Sequence, residues 1–458
     1  MLEHVIVVGG GPAGMITALT AKSVYPGKSV CVVKEIGDGV IPCAIPYMMH
    51  SLDDPAKNAM GSMPLEDAGI RVVVGKVVEL NTASQSIVLD SGETMTYERL
   101  VLATGTEMIL PPIPGIHKNG VYTIRKSMSA MTSLRKSLSQ AHGVAIIGGG
   151  FIGAEFADEL SAMPGKEVHL IELLPRILMP AFDDEFCDAA AEILKNAGVR
   201  IHTGRRVTAI NGDDKVSSVT LDDGLEIPAE AVLVSVGAKS SSELAKAAGL
   251  ALAEDGSIWV DEYMRTSVAG IFAVGDCAVK RDFFTRRAVP IWLASTATAE
   301  ARNAGTNIYG VRVLHQIHGT ISAFSTRLGD LTFASAGMTC RSCEREGFRH
   351  VHATAEAPDR HPGSLPGARV LKLKLIFADR SGILLGGQVT GGPSAGELIN
   401  TVAVAIQKSV SVRELDMMQI ATHPLLTPAP TVHPLVTAAH QALAKLRRAT
   451  NNNLRTSP

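Results

Sequence analysis

The chain has 458 residues, of which 46% are hydrophobic, and its 43 basic and 45 acidic residues give a net charge of −2. This length predicts about two to four domains, and the balanced charge excludes the basic surface typical of nucleic-acid-binding proteins. No apolar run approaches the roughly 20 residues of a membrane-spanning helix, and a strand that begins at His4 leaves no room for a signal peptide. The six cysteines are scattered and do not form the pattern of a disulfide framework. We therefore expect a cytoplasmic protein without a membrane partner.

The N-terminal segment has the pattern of a dinucleotide-binding βαβ unit. A β-branched strand at residues 5–8 leads into a turn with Gly9, Gly11 and Gly14, then a helix and a second strand at 30–33. In such a turn the first glycine allows the tight bend, the second lets the backbone approach a pyrophosphate, and the third lets helix pack on strand. The helix N-terminus then presents unpaired N–H groups to the phosphates.

The acidic residue expected at the end of the second strand is displaced. Lys34 and Glu35 follow that strand, so Glu35 lies one residue beyond the usual position of a ribose-binding acid. Either Glu35 reaches the ribose with an altered bend, or Lys34 supports the phosphates. Pro12 and Ala13 complete the turn and are assigned to the same cofactor site.

The same plan recurs further along the chain. A strand leads into a second turn with Gly148, Gly150 and Gly153, and the strand after the following helix ends at Glu172. Two such units predict two nucleotide-binding domains. The Glu172 carboxylate would accept from both ribose hydroxyls and repel a 2′-phosphate, which favours NADH. The nearby Arg176 leaves NADPH open.

The region after His315 has no such turn. It alternates short apolar strands, such as residues 370–377, with helical patterns at 397–407 and 436–446. We therefore predict a separate α+β domain, followed by a disordered polar tail at residues 451–458.

Cys43 is the most informative single residue. It lies beyond the first glycine-rich turn, and no other cysteine occurs within five residues of it on either side. If Cys43 is redox-active, the sulfur or oxygen that reacts with it must therefore come from outside the chain.

Two further segments complete the pattern of a known family. Residues 100–105 (LVLATG) close the first nucleotide-binding unit, and residues 270–276 (GIFAVGD) place an aspartate directly after a strand and a glycine. With these motifs the sequence resembles, over essentially its whole length, the FAD-dependent pyridine nucleotide-disulfide oxidoreductases. Within them it is most similar to the single-cysteine branch that holds coenzyme A disulfide reductase, NADH oxidase and persulfide reductase.

The resemblance implies an α/β fold with two Rossmann-like domains, one for FAD and one for NAD(P)H, and a C-terminal α+β dimerisation domain. It implies an FAD domain at 1–114 and 241–314, an NAD(P)H domain at 115–240 and a dimerisation domain at 315–450. The residues implied to bind FAD are Gly9, Gly11, Pro12, Ala13, Gly14, Lys34, Glu35, Ala103, Thr104, Gly105, Gly275 and Asp276. The residues implied to bind NADH or NADPH are Gly148, Gly150, Ile152, Gly153, Glu172 and Gly237.

The segment around Cys43 matches the redox cysteine of that branch. Residues 45–47 (IPY) agree with the family, whereas Ala44 replaces a glycine and Pro42 stands where Asn or Ser is common. The peroxidase members carry a histidine in the first glycine-rich turn, where this chain has Pro12. The resemblance therefore implies that Cys43 is catalytic and disfavours a peroxidase.

His423 is the second candidate catalytic residue. Residues 421–428 (ATHPLLTP) lack both tyrosines of the coenzyme A disulfide reductases and are closer to the His-Pro pair of dihydrolipoamide dehydrogenases. That histidine acts as an acid/base across a dimer interface, so the resemblance implies a homodimer in which His423 serves the partner's active site. Its usual glutamate partner is missing, since Pro428 occupies that position, and a plain loop histidine is the alternative.

One cluster has metal-ligand spacing. Cys340 and Cys343, with His350 and His352, could complete a tetrahedral zinc site. In the family this region is a surface helix of the dimerisation domain. We therefore predict no metal, and assign these residues to a helix and a strand edge.

Together these features predict an FAD-dependent NAD(P)H oxidoreductase that reduces a small disulfide, persulfide or polysulfide through Cys43. The substrate could be linked to coenzyme A, although the missing tyrosines weaken the case for coenzyme A disulfide itself. The alternatives are an NADH oxidase that delivers electrons to oxygen, a flavoprotein reductase of a small redox protein in which Cys43 is idle, and a flavin-bound interaction protein.

Overall fold

The structure, a computed structural model, describes residues 2–314 and 317–456. The chain divides into two units, each made of three stretches. The first unit comprises Met1–His142, Ile210–Ser217 and Ala229–Thr320, and the second comprises Gly143–Ala209, Ser218–Pro228 and Ile321–Pro458.

The first part of the described chain contains eight strands and three α-helices. In order they are β1 (Leu2–Val8), α1 (Pro12–Val24), β2 (Val30–Lys34), α2 (Met63–Asp67), β3 (Arg71–Val74), β4 (Val77–Asn81), β5 (Ser86–Leu89), β6 (Thr94–Leu102), β7 (Thr106–Met108), β8 (Val121–Thr123) and α3 (Met128–Gln140). The middle part comprises β9 (Gly143–Ile147), α4 (Phe151–Ser161), β10 (Glu167–Glu172), α5 (Asp184–Asn196), β11 (Arg200–Thr203), β12 (Val207–Asn211), β13 (Ser218–Leu221) and β14 (Glu226–Pro228).

The remaining elements return to the first unit and then form the C-terminal region. They are β15 (Ala231–Val234), β16 (Ala238–Ser240), α6 (Glu243–Ala247), β17 (Ile271–Ala273), α7 (Ala294–Asn307), β18 (Phe324–Leu328), β19 (Leu331–Gly337), α8 (Cys340–Arg345), β20 (His350–Pro358), β21 (Val370–Ala378), β22 (Leu384–Gly391), α9 (Ser394–Gln407), α10 (Val412–Asp416) and α11 (Pro434–Thr456).

A seven-stranded sheet organises the first unit. Its order is β3-β2-β1-β6-β5-β4, with β17 also paired to β6. Strand β1 runs parallel to both β2 and β6, so that Val7 lies between Val32 and Val101. Residues 5–8 of β1 and 30–33 of β2 are buried, which explains why these stretches are apolar and largely β-branched. Since β2 and β6 flank β1 on opposite sides, a crevice is expected at the carboxyl end of β1.

Helix α1 covers this sheet together with α7. The two helices pack against each other, and a Cβ placed on Gly305 of α7 would lie 2.9 Å from the carbonyl oxygen of Thr17. The glycine therefore allows the backbones of α1 and α7 to approach each other closely.

The second unit combines a βαβ segment with a C-terminal sheet. Strands β9, β10 and β11 are parallel, whereas β18-β19-β22-β21-β20 form an antiparallel sheet covered by α9 and α11. The buried rings of Phe182 and Phe333 meet edge to face at 6.3 Å between centroids. The predicted α/β class, with two glycine-rich βαβ units and a C-terminal α+β region, is confirmed. The three-domain boundaries stay a prediction, because the contacts group the second βαβ segment with the C-terminal sheet.

The C-terminal tail differs from the expectation of disorder. Helix α11 continues through Asn451 to Thr456, because adding residues to an existing helix avoids a new nucleation step. Residues 457 and 458 of the predicted tail, like His315 at the predicted domain start, lie outside the described residues. Within the described chain, no helix has both the length and the apolar character needed to cross a bilayer.

A buried ion pair fixes the segment after β17. The Lys280 ammonium lies 2.9 Å from the Glu300 carboxylate on α7, and both side chains are at most 3% exposed. Lys280 also donates to the carbonyl of Gly275, and Glu300 accepts from the Gly275 N–H at 2.9 Å. Burial raises the pKa of Glu300, and the charge of Lys280 opposes that rise. The pair therefore holds both backbone groups of Gly275.

Breaking this pair should cost more stability than replacing it entirely. We expect Lys280→Met to lower the free energy of unfolding by about 3–5 kcal/mol, because it leaves a buried carboxylate without its cation, whereas the double variant with Glu300→Leu should recover most of the loss. Urea unfolding of the FAD-loaded protein measures both. Lys239→Met, which breaks an exposed pair with Glu243, is the matched control and should change stability little. Equal losses in the single and double variants would contradict the prediction.

Candidate active site

The first glycine-rich turn lies at the carboxyl edge of the first sheet. Gly9 has φ +118°, and a Cβ there would lie 2.1 Å from the carbonyl oxygen of Ala103. A Cβ on Gly14 would lie 1.9 Å from the Gly9 oxygen, whereas a Cβ on Gly11 would meet nothing within 4 Å. The turn therefore needs Gly9 and Gly14 for its own packing. It leaves open space at Gly11, where a ligand can approach the backbone.

The start of α1 fits a dinucleotide pyrophosphate. No side chain caps the helix, its first turn contains no acidic residue, and Pro12 stands at its first position. The N–H groups of Ala13 and Gly14 belong to that first turn, which has no intrahelical acceptors for them. Such a helix terminus attracts anions. These residues thus suit the phosphates of FAD.

Lys34 and Glu35 have different surroundings. The Lys34 side chain passes beside Gly10 in the turn, and its ammonium donates to the Ser62 hydroxyl at 2.7 Å. Glu35 is exposed and forms an ion pair with Lys76 at 3.3 Å. Of the two alternatives, this geometry favours Lys34 as the residue beside the phosphates.

Two more loops meet at the same edge. Ala103 donates its N–H to the Val8 carbonyl at 2.8 Å, and Thr104 donates its hydroxyl to the Ser241 carbonyl at 2.6 Å. Ser241 in turn donates its N–H to the Gly105 carbonyl at 2.9 Å.

The segment with Asp276 follows the next parallel strand, β17. A Cβ on Gly275, where φ is +71°, would lie 2.7 Å from the Ala13 Cβ, and the Asp276 carbonyl accepts from the Ser240 hydroxyl at 2.7 Å. The structure therefore brings together the residues predicted to bind FAD at β1, β6 and β17.

Cys43 lies on the connection that leaves the carboxyl end of β2. It occupies a single 3-10 turn, Pro42–Ala44, and a second turn, Pro46–Met48, follows at once. A proline begins each turn, where its missing N–H costs no hydrogen bond. Ile45 and Met48 are buried and anchor the segment, whereas Cys43 is exposed. The segment therefore presents the thiol at the surface of the first unit.

The other five cysteines are unsuited to redox chemistry. Burial raises the pKa of four of these thiols to about 12, namely those of Cys31, Cys187, Cys340 and Cys343. Burial also raises the pKa of the Cys277 thiol. Because the thiolate is the nucleophile, these five thiols are weak nucleophiles at neutral pH.

The second glycine-rich turn has the same construction as the first. Gly148 has φ +107°, a Cβ on Gly150 would meet nothing within 4 Å, and no side chain caps α4. The two Glu172 carboxylate oxygens accept from the Gly149 N–H at 2.6 Å and from the Leu174 N–H at 2.7 Å. Each oxygen keeps acceptor capacity for a ribose hydroxyl.

The neighbouring groups fit an NAD site. Arg176 is engaged by Asp188 at 2.7 Å and Asp184 at 3.1 Å, so two carboxylates compete with any 2′-phosphate for its guanidinium. This favours NADH over NADPH. Ile152 is exposed on α4, whereas Gly237, with φ +108°, belongs to the first unit.

Glu155 is a residue that the sequence analysis missed. It lies on α4, accepts from the Thr326 hydroxyl at 2.7 Å, and burial raises the pKa of its carboxyl to about 7. Perturbed acids of this kind occur often near functional sites. Its sequence signal was the crowding of Glu155, Asp158 and Glu159 on a helix that directly follows a nucleotide-binding turn.

His423 lies in an exposed loop of the second unit, between α10 and α11. The ring Nδ1 of His423 accepts from the backbone N–H of Leu425 at 3.2 Å. The backbone N–H of His423 donates to the Thr427 hydroxyl at 3.0 Å. Because Nδ1 is an acceptor, the neutral ring carries its proton on Nε2. Cys43 belongs to the first unit, so the two predicted catalytic residues lie in different units.

Alkylation of the folded protein should single out Cys43. We expect a limiting amount of iodoacetamide to label Cys43 first, because it is the exposed thiol while burial suppresses the others. Peptide mass mapping after short reaction times measures the order. The Cys43→Ser variant should lose the fast phase, and labelling of Cys31 or Cys187 at a similar rate would contradict the prediction.

Glu155 should make stability depend on pH. Its folded-state pKa of about 7 lies above the ordinary value of 4.5, so the folded protein binds this proton more tightly than the unfolded chain. The stabilisation is fully present below about pH 4.5 and is lost as the pH rises through about 7. We expect Glu155→Gln to gain stability relative to the wild type between about pH 5 and 8, by about 1–3 kcal/mol. Unfolding midpoints across this range test it, with the exposed Glu192→Gln as control, and parallel curves for Glu155→Gln and wild type would refute it.

Comparisons with known proteins agree with this geometry. The family model for pyridine nucleotide-disulphide oxidoreductases matches residues 3–301, and the model for the dimerisation domain of the same family matches residues 324–433. The NAD(P)H coenzyme A polysulfide/persulfide reductase of Pyrococcus horikoshii is 32% identical over 448 residues, which is 96% of this chain and 98% of that protein. The NADH oxidase of Methanocaldococcus jannaschii is 31% identical over 452 residues, 96% of this chain and 99% of that protein.

A solved structure extends the similarity to three dimensions. The NAD-dependent persulfide reductase from A. fulgidus superposes with a TM-score of 0.89 at 30% identity, and the match covers 97% of this chain and 83% of that one. The predicted family, enzyme class and cofactors are confirmed. This chain belongs to the pyridine nucleotide-disulphide oxidoreductases and is an FAD-dependent enzyme that takes its electrons from NADH or NADPH.

Proposed function

We propose that this enzyme reduces a small disulfide, persulfide or polysulfide through Cys43. One observation carries the proposal: Cys43 is the exposed thiol, while burial raises the pKa of the other five. A thiol without a neighbouring cysteine cannot close an internal disulfide after it attacks. The second sulfur must therefore belong to the substrate, and a small substrate reaches a surface thiol most easily.

Residues of the first unit hold FAD in this proposal. The N–H groups at the start of α1 bind its phosphates, with Lys34 beside them, and residues 103–105 and Asp276 line the same edge. The turn at Gly148 and the carboxylate of Glu172 hold NADH. When bound, FAD would supply the electron pair, taken as hydride from the nicotinamide, that breaks the disulfide formed between Cys43 and the substrate, which returns Cys43 to its thiolate and releases the bound sulfur as a second thiolate or hydrosulfide.

The sulfur step belongs to the chain's own residues. The Cys43 thiolate attacks one sulfur of the substrate, so a bond forms between the two sulfurs while the substrate's own S–S bond breaks. The departing sulfur leaves with the electron pair of the broken bond as a thiolate or hydrosulfide anion. When His423 has taken up a second ring proton from solvent, its imidazolium gives a proton to that anion and returns to the neutral ring.

A homodimer with a shared site follows from this assignment. His423 lies in the region that matches the family's dimerisation domain, and Cys43 lies in the other unit of the chain. We infer that His423 of one protomer serves Cys43 of its partner. The names of the Pyrococcus horikoshii and A. fulgidus relatives support a sulfur substrate. A coenzyme A-linked persulfide is one member of that class.

The second candidate is an NADH oxidase. The relative from Methanocaldococcus jannaschii bears that name, and an exposed thiolate such as Cys43 can cycle through a sulfenic acid when oxygen or peroxide is the oxidant. The first glycine-rich turn has Pro12 and no histidine, which argues against a peroxide-specific enzyme.

Anaerobic NADH consumption by the wild type and Cys43→Ser tests both candidates. Coenzyme A disulfide, coenzyme A persulfide and polysulfide are offered in turn, with oxygen as a separate arm. We expect turnover of at least one sulfur substrate in the wild type and its disappearance in Cys43→Ser. His423→Gln should lower that turnover by about 100-fold or more.

Two controls make the result specific. Flavin reduction by NADH alone should be unchanged in Cys43→Ser, which shows that the cofactor sites are intact. His440→Gln, which changes another exposed histidine of the same unit, should keep full activity. Oxygen consumption as the sole activity, unaffected by Cys43→Ser, would overturn the proposal and leave Cys43 without a catalytic role.

A further inference from the structure

Three potential metal ligands converge in the second unit, in the part of the fold that follows β19. The Sγ of Cys340 and ring nitrogens of His350 and His352 all lie within 4.8 Å of one another. Cys343, the fourth member of the sequence cluster, is buried, and its Sγ lies 3.9 Å from the Met338 sulfur. The structure therefore selects three of the four residues.

Local structure holds the cysteine in place. Cys340 is the first residue of α8, and a capping box fixes that helix end: the Thr339 hydroxyl accepts from the Ser342 N–H at 3.0 Å, and the Ser342 hydroxyl accepts from the Thr339 N–H at 2.8 Å. The Cys340 N–H donates to the Asp183 carboxylate at 3.3 Å. These hydrogen bonds fix the position of the Cys340 backbone.

The two histidines share one face of β20. Residues two apart in a strand point to the same side, and the rings of His350 and His352 lie 6.1 Å apart between centroids, tilted by 31°. The Nδ1 of His350 lies 3.3 Å from the Phe348 carbonyl. A histidine that donates one ring N–H to a backbone carbonyl turns the lone pair of its other nitrogen outward, which is the usual arrangement of a metal-bound histidine.

Charged side chains of both signs surround the cluster. Lys374 lies 2.8 Å from Asp183 and 2.8 Å from Glu185. The Lys445 ammonium donates to the His352 carbonyl at 2.8 Å, so two ammonium groups offset two carboxylates. Gln388 also donates to Asp183 at 2.8 Å and fixes that carboxylate beside Cys340. A thiolate at Cys340 would therefore supply the negative charge that attracts a divalent ion.

We propose that Cys340, His350 and His352 form a binding site for one divalent zinc-class ion, with an exchangeable fourth position. Ligand atoms around tetrahedral zinc lie about 3.5 Å apart. Small rotations of half-buried and exposed side chains close the remaining distance of about 1 Å. On binding, the Cys340 S–H bond breaks, its proton goes to solvent, and the sulfur donates its electron pair to the metal. The helix and strand positions agree with the sequence analysis, whereas the proposed metal departs from its expectation of no metal.

Equilibrium dialysis of the FAD-loaded, metal-depleted protein against Zn²⁺ tests the site. We expect the wild type to bind one more zinc ion per chain than Cys340→Ser or His352→Gln. Co²⁺ should give a second readout, because cobalt bound to a thiolate in a tetrahedral site absorbs strongly in the red, beyond the flavin bands. That absorption should be lost in both variants. Cu²⁺ in place of Co²⁺ separates a copper preference from a zinc preference.

Matched variants separate this site from other zinc ligands. Cys43→Ser removes the exposed thiol and His440→Gln removes an exposed histidine outside the cluster, and both should bind as much zinc as the wild type. Zinc should also raise the unfolding temperature of the wild type but not of His352→Gln. Because His352 is exposed, we expect this variant to fold normally, so that the missing effect of zinc reports the lost ligand. Zinc binding that persists in both Cys340→Ser and His352→Gln, or that is lost in Cys43→Ser, would overturn the proposal.

Discussion

Parallel pairing of β1 with both β2 and β6 is the constraint on which the first unit depends. Parallel strands end at the same edge of a sheet, so every loop that leaves a carboxyl end starts from the same place. The glycine-rich turn, Lys34, residues 103–105 and the segment at Gly275 all meet there for this reason. The edge has room for a cofactor because Gly9 and Gly14 let backbone atoms approach where side chains would collide.

The chemistry follows from how the fold distributes its thiols. Five cysteines are packed into strands, helices or their junctions, and burial raises the pKa of each thiol. Cys43 escapes this because two short proline-started turns carry it away from the sheet. One accessible thiol without a local cysteine favours a substrate that brings its own sulfur. Burial of the other five cysteines thus protects them from oxidation and leaves Cys43 as the thiol that can react with the substrate.

In the second unit, hydrogen bonds and ion pairs fix the positions of two carboxylates. Glu172 is held by two backbone N–H groups beside its glycine-rich turn, and Asp183 joins Lys374 and Gln388 in a buried network. A buried charge is tolerated only where such partners satisfy it. This network also positions the helix end that bears Cys340, so a structural polar group and a proposed metal site share one carboxylate.

The sequence by itself determined the two glycine-rich βαβ units, the C-terminal α+β region and the isolation of Cys43, because each is encoded in a short stretch whose spacing sets turn, helix and strand. Tertiary structure decided the rest. The buried pair of Lys280 with Glu300, the raised pKa of Glu155, and the meeting of Cys340 with two strand histidines depend on which distant segments pack together. Burial and proximity are set by those neighbours and not by local spacing, which is why the sequence could not decide whether Cys340 meets His350 and His352.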